Sequence, residues 1–269
     1  MKQLLDKVII VTGSTTGIGK AIARKCLEEG AKIIVSGRNR KRGEEVVHEL
    51  GGAVTLHIDD LTDPSTGSRL VQTALKAYGK VDGIVNNAAW VIRSNLETTN
   101  VDLFDRVMSI NVRAPLFLVK AAMPELIKTS GAIINIGSVN GYTGAATQLD
   151  YSISKAALMC LSRNLANAYA HQKVRINHLN VGWVITPNEN RLKIKEGFPE
   201  GWSEDPQITG TPTGKMTQPE EIANHAIFWL SNASRPITGS VMELEQYPFI
   251  GRIVPSELEK ALKEPVEAG

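Results

Sequence analysis

Short apolar runs alternate with longer amphipathic stretches along this chain. Val8-Ile9-Ile10-Val11 reads as a buried strand, and a Gly-rich turn follows between Gly13 and Gly19. Ile18, Ile22 and Cys26 then recur at i, i+4 and i+8, with Ala23 and Leu27 beside them, which is one face of a helix. Gly30 closes that helix as a C-cap. Further strands are predicted at 33–35, 54–58, 81–86, 133–136, 174–179 and 241–244. Helical stretches are predicted at 40–50, 64–78, 99–123, 150–170 and 217–231. This β-α alternation predicts an α/β fold of three layers, Rossmann-like. A single doubly wound, mostly parallel sheet of seven strands would carry helices on both faces. No linker, repeat or composition shift divides the chain, so residues 1–269 read as one domain. The stretch 186–217 is the least regular, with Pro187, Pro199, Pro206 and Pro212 inside it and Pro219 just beyond. It reads as a binding loop. The tail 252–269 is charged at its end and is expected to fray after Leu262.

Composition narrows the function classes without choosing among them. With 269 residues and 42% hydrophobic positions, there is material for a sizeable core. The 30 basic and 28 acidic residues leave a net charge of +2, so no general attraction to nucleic acid or membrane follows. Met1 to Lys7 lacks the apolar run of a signal peptide, and no apolar run is long enough to span a bilayer. Cys26 and Cys160 form no disulfide framework or metal-binding pattern, and both are expected to be buried thiols in helices. A cytoplasmic protein without a metal is the expectation.

The turn Thr12-Gly13-Ser14-Thr15-Thr16-Gly17-Ile18-Gly19 lies between a strand and a helix. Glycines let the backbone turn tightly and approach a ligand, and the helix N-terminus offers free N–H groups to a pyrophosphate. Its spacing resembles the T-G-x-x-x-G-I-G of the short-chain dehydrogenase/reductase family. Four further motifs follow in order. Asn86-Asn87-Ala88-Ala89 is similar to N-N-A-G, and Asn111 comes at the family's distance. Ser138 closes the fifth strand, with Tyr151-Ser152-Ile153-Ser154-Lys155 as Y-x-x-x-K thirteen residues on. Asn180-Val181-Gly182-Trp183-Val184-Ile185-Thr186 is similar to N-P-G-x-x-x-T. The resemblance spans residues 6–245, with three departures. Ala89 and Val181 replace Gly and Pro, and the run from Thr238 to Tyr247 lacks the usual glycine pair.

In dinucleotide folds an acidic residue ending the second strand bonds the ribose hydroxyls of NAD. Here that strand ends Val35-Ser36-Gly37-Arg38 with no carboxylate, and Arg40, Lys41 and Arg42 follow. A guanidinium suits the extra phosphate of NADP(H), so NADP(H) is preferred and NAD(H) is possible. Thr16 weakens the case slightly, because some NADP-preferring relatives carry Lys or Arg there. The resemblance further implies that Asp60, beside Leu61, contacts the adenine, with a surface cap before Pro64 as the competing reading. It implies that Asn87 reaches the adenosine ribose, and that Val184 and Thr186 hold the nicotinamide carboxamide.

Hydride transfer at an alcohol carbon needs a group that moves the hydroxyl proton. A free phenol, with a pKa of about 10, is a poor base near neutrality, but a nearby ammonium lowers it. Tyr151 and Lys155 are four apart and share one helix face. Ser138 is placed to hold the substrate oxygen, and the resemblance assigns Asn111 a relay water next to Lys155. The five histidines form no recognisable catalytic arrangement and read as structural. Candidate substrate contacts are Trp90, Asn140, Gln148, Trp183, Asn188 and Trp202, in addition to Ser138. Amides with aromatic rings suit a sugar or polyol, and suit an alicyclic ketone nearly as well. A small alcohol or ketone is therefore the expected substrate. A 3-oxoacyl-thioester reductase and a non-catalytic NADP-binding regulator are the alternatives. The resemblance implies a homotetramer, or failing that a C2 dimer. Ala156, Ala157, Leu158, Leu161, Leu165, Ala166 and Ala168 give the 150–170 helix more apolar surface than one sheet contact needs.

Overall fold

The computed structural model describes residues 2–246. Its strands are β1 (Val8–Val11), β2 (Lys32–Gly37), β3 (Val54–Ile58), β4 (Gly83–Asn86), β5 (Ala132–Ile136), β6 (Arg175–Val181) and β7 (Val241–Leu244). They form one sheet in the order β3-β2-β1-β4-β5-β6-β7, and every pairing is parallel. The winding reverses between β1 and β4. At such a switch point the connections leave in opposite directions and open a crevice at the carboxyl ends of the strands. The tail 252–269 lies outside the described residues.

The helices are α1 (Gly17–Glu28), α2 (Arg40–Leu50), α3 (Thr66–Tyr78), α4 (Val101–Met108), α5 (Ala114–Thr129), α6 (Asn140–Thr143), α7 (Leu149–Tyr169), α8 (Pro187–Lys195), α9 (Pro206–Thr209) and α10 (Pro219–Leu230). Alternation along β1 builds two cores. Ile9 and Val11 face one that includes Ile22 and Cys26 of α1, Val46 of α2 and Ile227 of α10. Val8 and Ile10 face the other, with Leu70 of α3, Leu118 and Ala122 of α5 and Ala166 of α7. Side chains two apart share a sheet face, so a run with no polar gap supplies both layers.

Three sequence expectations change. The helix expected over 99–123 is two helices joined by a π-helical turn, Ser109–Arg113, and α5 continues through Pro124 to Thr129. Its buried face, with Leu118, Ala122, Met123 and Leu126, runs past the proline, so packing outweighs the one hydrogen bond lost there. The 186–217 stretch contains α8 and α9 and is not an open loop. Cys26 is buried as expected, but Cys160 is exposed, because it lies on the face of α7 opposite Tyr151.

Candidate active site

The turn after β1 is built by contacts that only glycine allows. Gly13 and Gly17 have φ of 63° and 53°, in the left-handed region. A Cβ on Gly13 would sit 2.8 Å from Ala88 Cα, and one on Gly19 would collide with the Asn87 amide. Asn87 Nδ2 donates to the Thr12 and Gly13 carbonyls at 2.9 and 3.1 Å, while Thr12 Oγ1 accepts from the Asn87 and Ala88 amides. The β4 motif therefore clamps the β1 turn across the switch point. Ser14 points inward, donating to the Val11 carbonyl and accepting from the Ser36 amide, so its hydroxyl braces the sheet. Thr15 is buried against Gly37, whereas Thr16, at the N-cap of α1, makes no capping bond with its side chain. With no acidic residue in the first turn either, the leading amides near Gly17, Ile18 and Gly19 are able to receive an anion.

Four candidate catalytic residues come from three places. Ser138 follows β5, Tyr151 and Lys155 lie one turn apart on α7, and Asn111 occupies the π-helical turn. Lys155 is buried. Its Nζ donates to the Ile136 carbonyl at 2.6 Å and lies 5.5 Å from the centre of the Tyr151 ring. Burial pushes its ammonium down to about 8. The Tyr151 phenol is pushed up to about 12, chiefly because packing strips water from the phenolate. The nearby Ser138 hydroxyl offsets part of that rise, and the Glu189 carboxylate adds to it. The ammonium does not lower this phenol as the Y-x-x-x-K spacing predicts: Lys155 lies over the ring and burial dominates. Asn111 Nδ2 donates to Ser154 Oγ and the Trp90 carbonyl, and its Oδ1 accepts from the Trp90 amide. Ser154 in turn donates to the Tyr151 carbonyl. Asn111 thus pins the segment after β4 to α7, and among the described residues no hydrogen bond joins it to Lys155.

A family model described as enoyl-(acyl carrier protein) reductase matches residues 13–245. The chain is 33% identical over 245 residues to an NADP-dependent (R)-specific alcohol dehydrogenase of Lentilactobacillus kefiri, covering 88% of this chain and 94% of that one. It is 31% identical over 242 residues to the 2,5-dichloro-2,5-cyclohexadiene-1,4-diol dehydrogenase LinX of Sphingobium indicum, with the same coverage, 88% and 94%. The L-sorbose reductase of Gluconobacter frateurii, solved with NADPH and L-sorbose, superposes with a TM-score of 0.86 at 26% identity. That match covers 91% of this chain and 98% of the reductase. The chain belongs to the short-chain dehydrogenase/reductase family.

Against the pattern of that family, several side chains are otherwise engaged. Arg38 is exposed at the end of β2, and its charge helps hold the Asp60 carboxyl below the usual range. The larger cause is the Thr62 amide, which Asp60 Oδ1 accepts at 2.9 Å together with the Thr62 hydroxyl. Asp60 is therefore a turn cap, with the half-buried Leu61 beside it. A Cβ on Gly37 would meet Thr15 Cγ2 at 2.7 Å, so Thr15 fills the space an acidic side chain would need. Thr186 accepts from the Glu189 amide as the N-cap of α8, and its methyl group packs against Gly17. Val184, buried, sits in a one-residue bridge to Thr217.

The substrate-wall residues divide. Asn140 Nδ2 donates to Gln148 Oε1 at 2.6 Å, and the Asn140 amide donates to Ser138 Oγ, so these three form one polar edge. Trp183 is half-buried and stacks on Trp202 at 5.2 Å between centroids. Trp202 is fully buried and donates to Asn190 Oδ1, so its role is loop packing. Asn188 is exposed and paired to Arg191, outside the polar edge. Trp90 lies under the Arg106 guanidinium, 4.7 Å from its ring centre. Sequence reasoning missed two contacts here, and it read a third group, His178, only as structural. Glu189 Oε1 accepts from the Trp183 indole at 2.8 Å. Arg93 bonds Glu196 at 2.7 Å, tying the segment after β4 to the end of α8. His178 is buried between Ser162 and Asn180, beneath Gly137, whose Cβ would collide with its ring. Burial, with the Lys155 charge second, pushes His178 down to about 3 and keeps it neutral. Only the T-P-N-E run of the α8 start gave a local signal for any of these.

Proposed function

We propose that this chain is an NADP(H)-preferring oxidoreductase acting on a secondary alcohol or ketone of the sugar, polyol or alicyclic class. The observation that carries this reading is the Tyr151 phenol, near the Ser138 hydroxyl and backed by the buried Lys155, beyond the carboxyl edge of a sheet whose first turn is open to a pyrophosphate. The nicotinamide, when bound, supplies or accepts the hydride. Tyr151 is protonated at neutral pH and donates its proton to the carbonyl oxygen during reduction. Ser138 holds that oxygen against the phenol. Lys155, charged below about pH 8, stabilises the phenolate that remains. Gly37 and Arg38 fit a 2′-phosphate, since Gly37 carries no carboxylate and, among the described residues, the Arg38 guanidinium makes no hydrogen bond or ion pair. The names of the kefiri dehydrogenase and the sorbose reductase support both the cofactor and the substrate class.

The described residues act as one catalytic unit, with the 186–217 segment as the substrate wall. A cytoplasmic location fits the finding that no described helix is long and apolar enough to cross a membrane. A homotetramer, or a C2 dimer, would cover the exposed Val101 of α4, Leu116 and Phe117 of α5 and Ile153 of α7. The test is nicotinamide absorbance with sugars, polyols, cyclic ketones and 3-oxoacyl thioesters, NADP(H) and NAD(H) side by side. Turnover of a ketone or alcohol with NADP(H) is expected; turnover confined to thioesters would overturn the substrate class.

A further inference from the structure

Glu189 is placed unlike an ordinary helix-start glutamate. Thr186-Pro187-Asn188-Glu189 has the capping-box pattern, in which the glutamate returns to the N-cap amide. Only half of that box forms. Thr186 Oγ1 accepts from the Glu189 amide, but the carboxylate turns away and takes the Trp183 indole N–H at 2.8 Å. Among the described residues its second oxygen, Oε2, has no hydrogen-bond partner. Of the cations nearest in sequence, Arg191 is paired to Asn188, and Lys193 is held by Glu196 at 2.7 Å and lies over the Trp183 and Phe198 rings. Glu196 also takes Arg93, so the far end of α8 is anchored too.

This carboxylate borders the reaction site. Trp183 follows β6 as Ser138 follows β5, and the two strand ends are joined by the Val139 amide and the Val181 carbonyl. The Glu189 charge also bears on Tyr151, opposing the phenolate. One face of Trp183 is occupied by Trp202. An aromatic edge beside a carboxylate with an open oxygen matches a hydroxylated carbon chain, with C–H groups against the indole edge and O–H donated to the carboxylate.

We infer that Glu189 is a specificity-determining residue that accepts a hydrogen bond from a substrate hydroxyl remote from the reacting carbon. This rests on the oxidoreductase reading above. An aliphatic ketone leaves the carboxylate without that donor, and an anionic substrate is repelled by it.

The test uses matched ketones of equal size with NADPH. 4-Hydroxy-2-butanone is compared with 2-pentanone, and longer pairs move the hydroxyl out by one and two carbons. Wild type should favour at least one hydroxyketone over its deoxy partner. In Glu189→Gln the indole bond is retained but the face toward the substrate becomes a donor. That selectivity ratio should fall about ten- to hundredfold, the range expected for a hydrogen bond to a charged group. NADPH titration of each variant checks that the fold is intact, and Glu189→Ala should lower the ratio equally. A purely structural role for Glu189 would depress both members of a pair alike and leave the ratio unmoved, which would overturn the inference while the oxidoreductase reading stands. A stronger preference for 4-amino-2-butanone would overturn the hydroxyl assignment in favour of an ammonium. No reduction of any ketone by wild type would overturn the underlying reading and the inference with it.

Discussion

Lys155→Met should make the protein more stable while abolishing its activity. The Lys155 ammonium is buried beneath the Tyr151 ring and is pushed from its ordinary 10.5 down to about 8. At 1.36 kcal/mol per pKa unit, this displacement corresponds to about 3 kcal/mol of native stability forgone while the group is charged. The sign follows from proton binding. Between about pH 8 and 10.5 the unfolded chain binds the proton and the folded chain does not, so stability rises with pH across that window. Methionine matches the length of the stem and carries no charge. It loses the 2.6 Å bond to the Ile136 carbonyl, at a cost of about 1–2 kcal/mol. The net gain at pH 7 is therefore about 1–2 kcal/mol, or a Tm higher by roughly 2–8 °C at the scaling for chains somewhat smaller than this one. Thermal unfolding followed by circular dichroism, without cofactor and at one protein concentration, measures it. The advantage of the variant should shrink as pH rises from 8 to 10.5. A variant that melts below wild type at pH 7, or whose difference from wild type is flat with pH, would refute the burial argument.

Other consequences can be measured separately. Arg38→Ala should weaken NADPH binding about ten- to hundredfold and NADH binding much less, read by fluorescence titration; equal losses would remove Arg38 from the phosphate site. Gly19→Ala should cost more than about 2 kcal/mol of stability and impair cofactor binding, because its Cβ would lie 2.5 Å from the Gly13 carbonyl oxygen; denaturant melts and the same titration check this. Glu196→Gln should raise KM more than it lowers kcat, since it loosens the tie from Arg93 to α8. The change should be smaller at high salt, because both side chains are partly exposed.

What the sequence made legible was local. The run Val8–Val11 announces a strand because burial on both faces leaves no polar position. The glycine turn was readable because positive φ and close backbone approach leave few other residues possible. Proline misled in the 186–217 stretch: Pro187 and Pro206 begin α8 and α9, where a missing N–H costs nothing. Side-chain direction was less readable. Ser14 and Asn87 hold the turn, and the Asn111 amide joins two segments, because each finds main-chain partners on segments distant along the chain. The Arg93–Glu196 tie was invisible for the same reason, since its partners are 103 residues apart; Glu189 leaves its capping position for the Trp183 indole, a choice set by side-chain direction and not by sequence pattern.

The central claim is that Tyr151 moves the proton while the rest of the site binds and orients. The most direct measurement compares wild type with Tyr151→Phe, following NADPH oxidation with a ketone that wild type reduces, beside NADPH affinity for each protein. Loss of turnover by at least about a hundredfold, with affinity nearly intact, is the predicted result. Turnover near the wild-type rate in the phenylalanine variant would contradict the account.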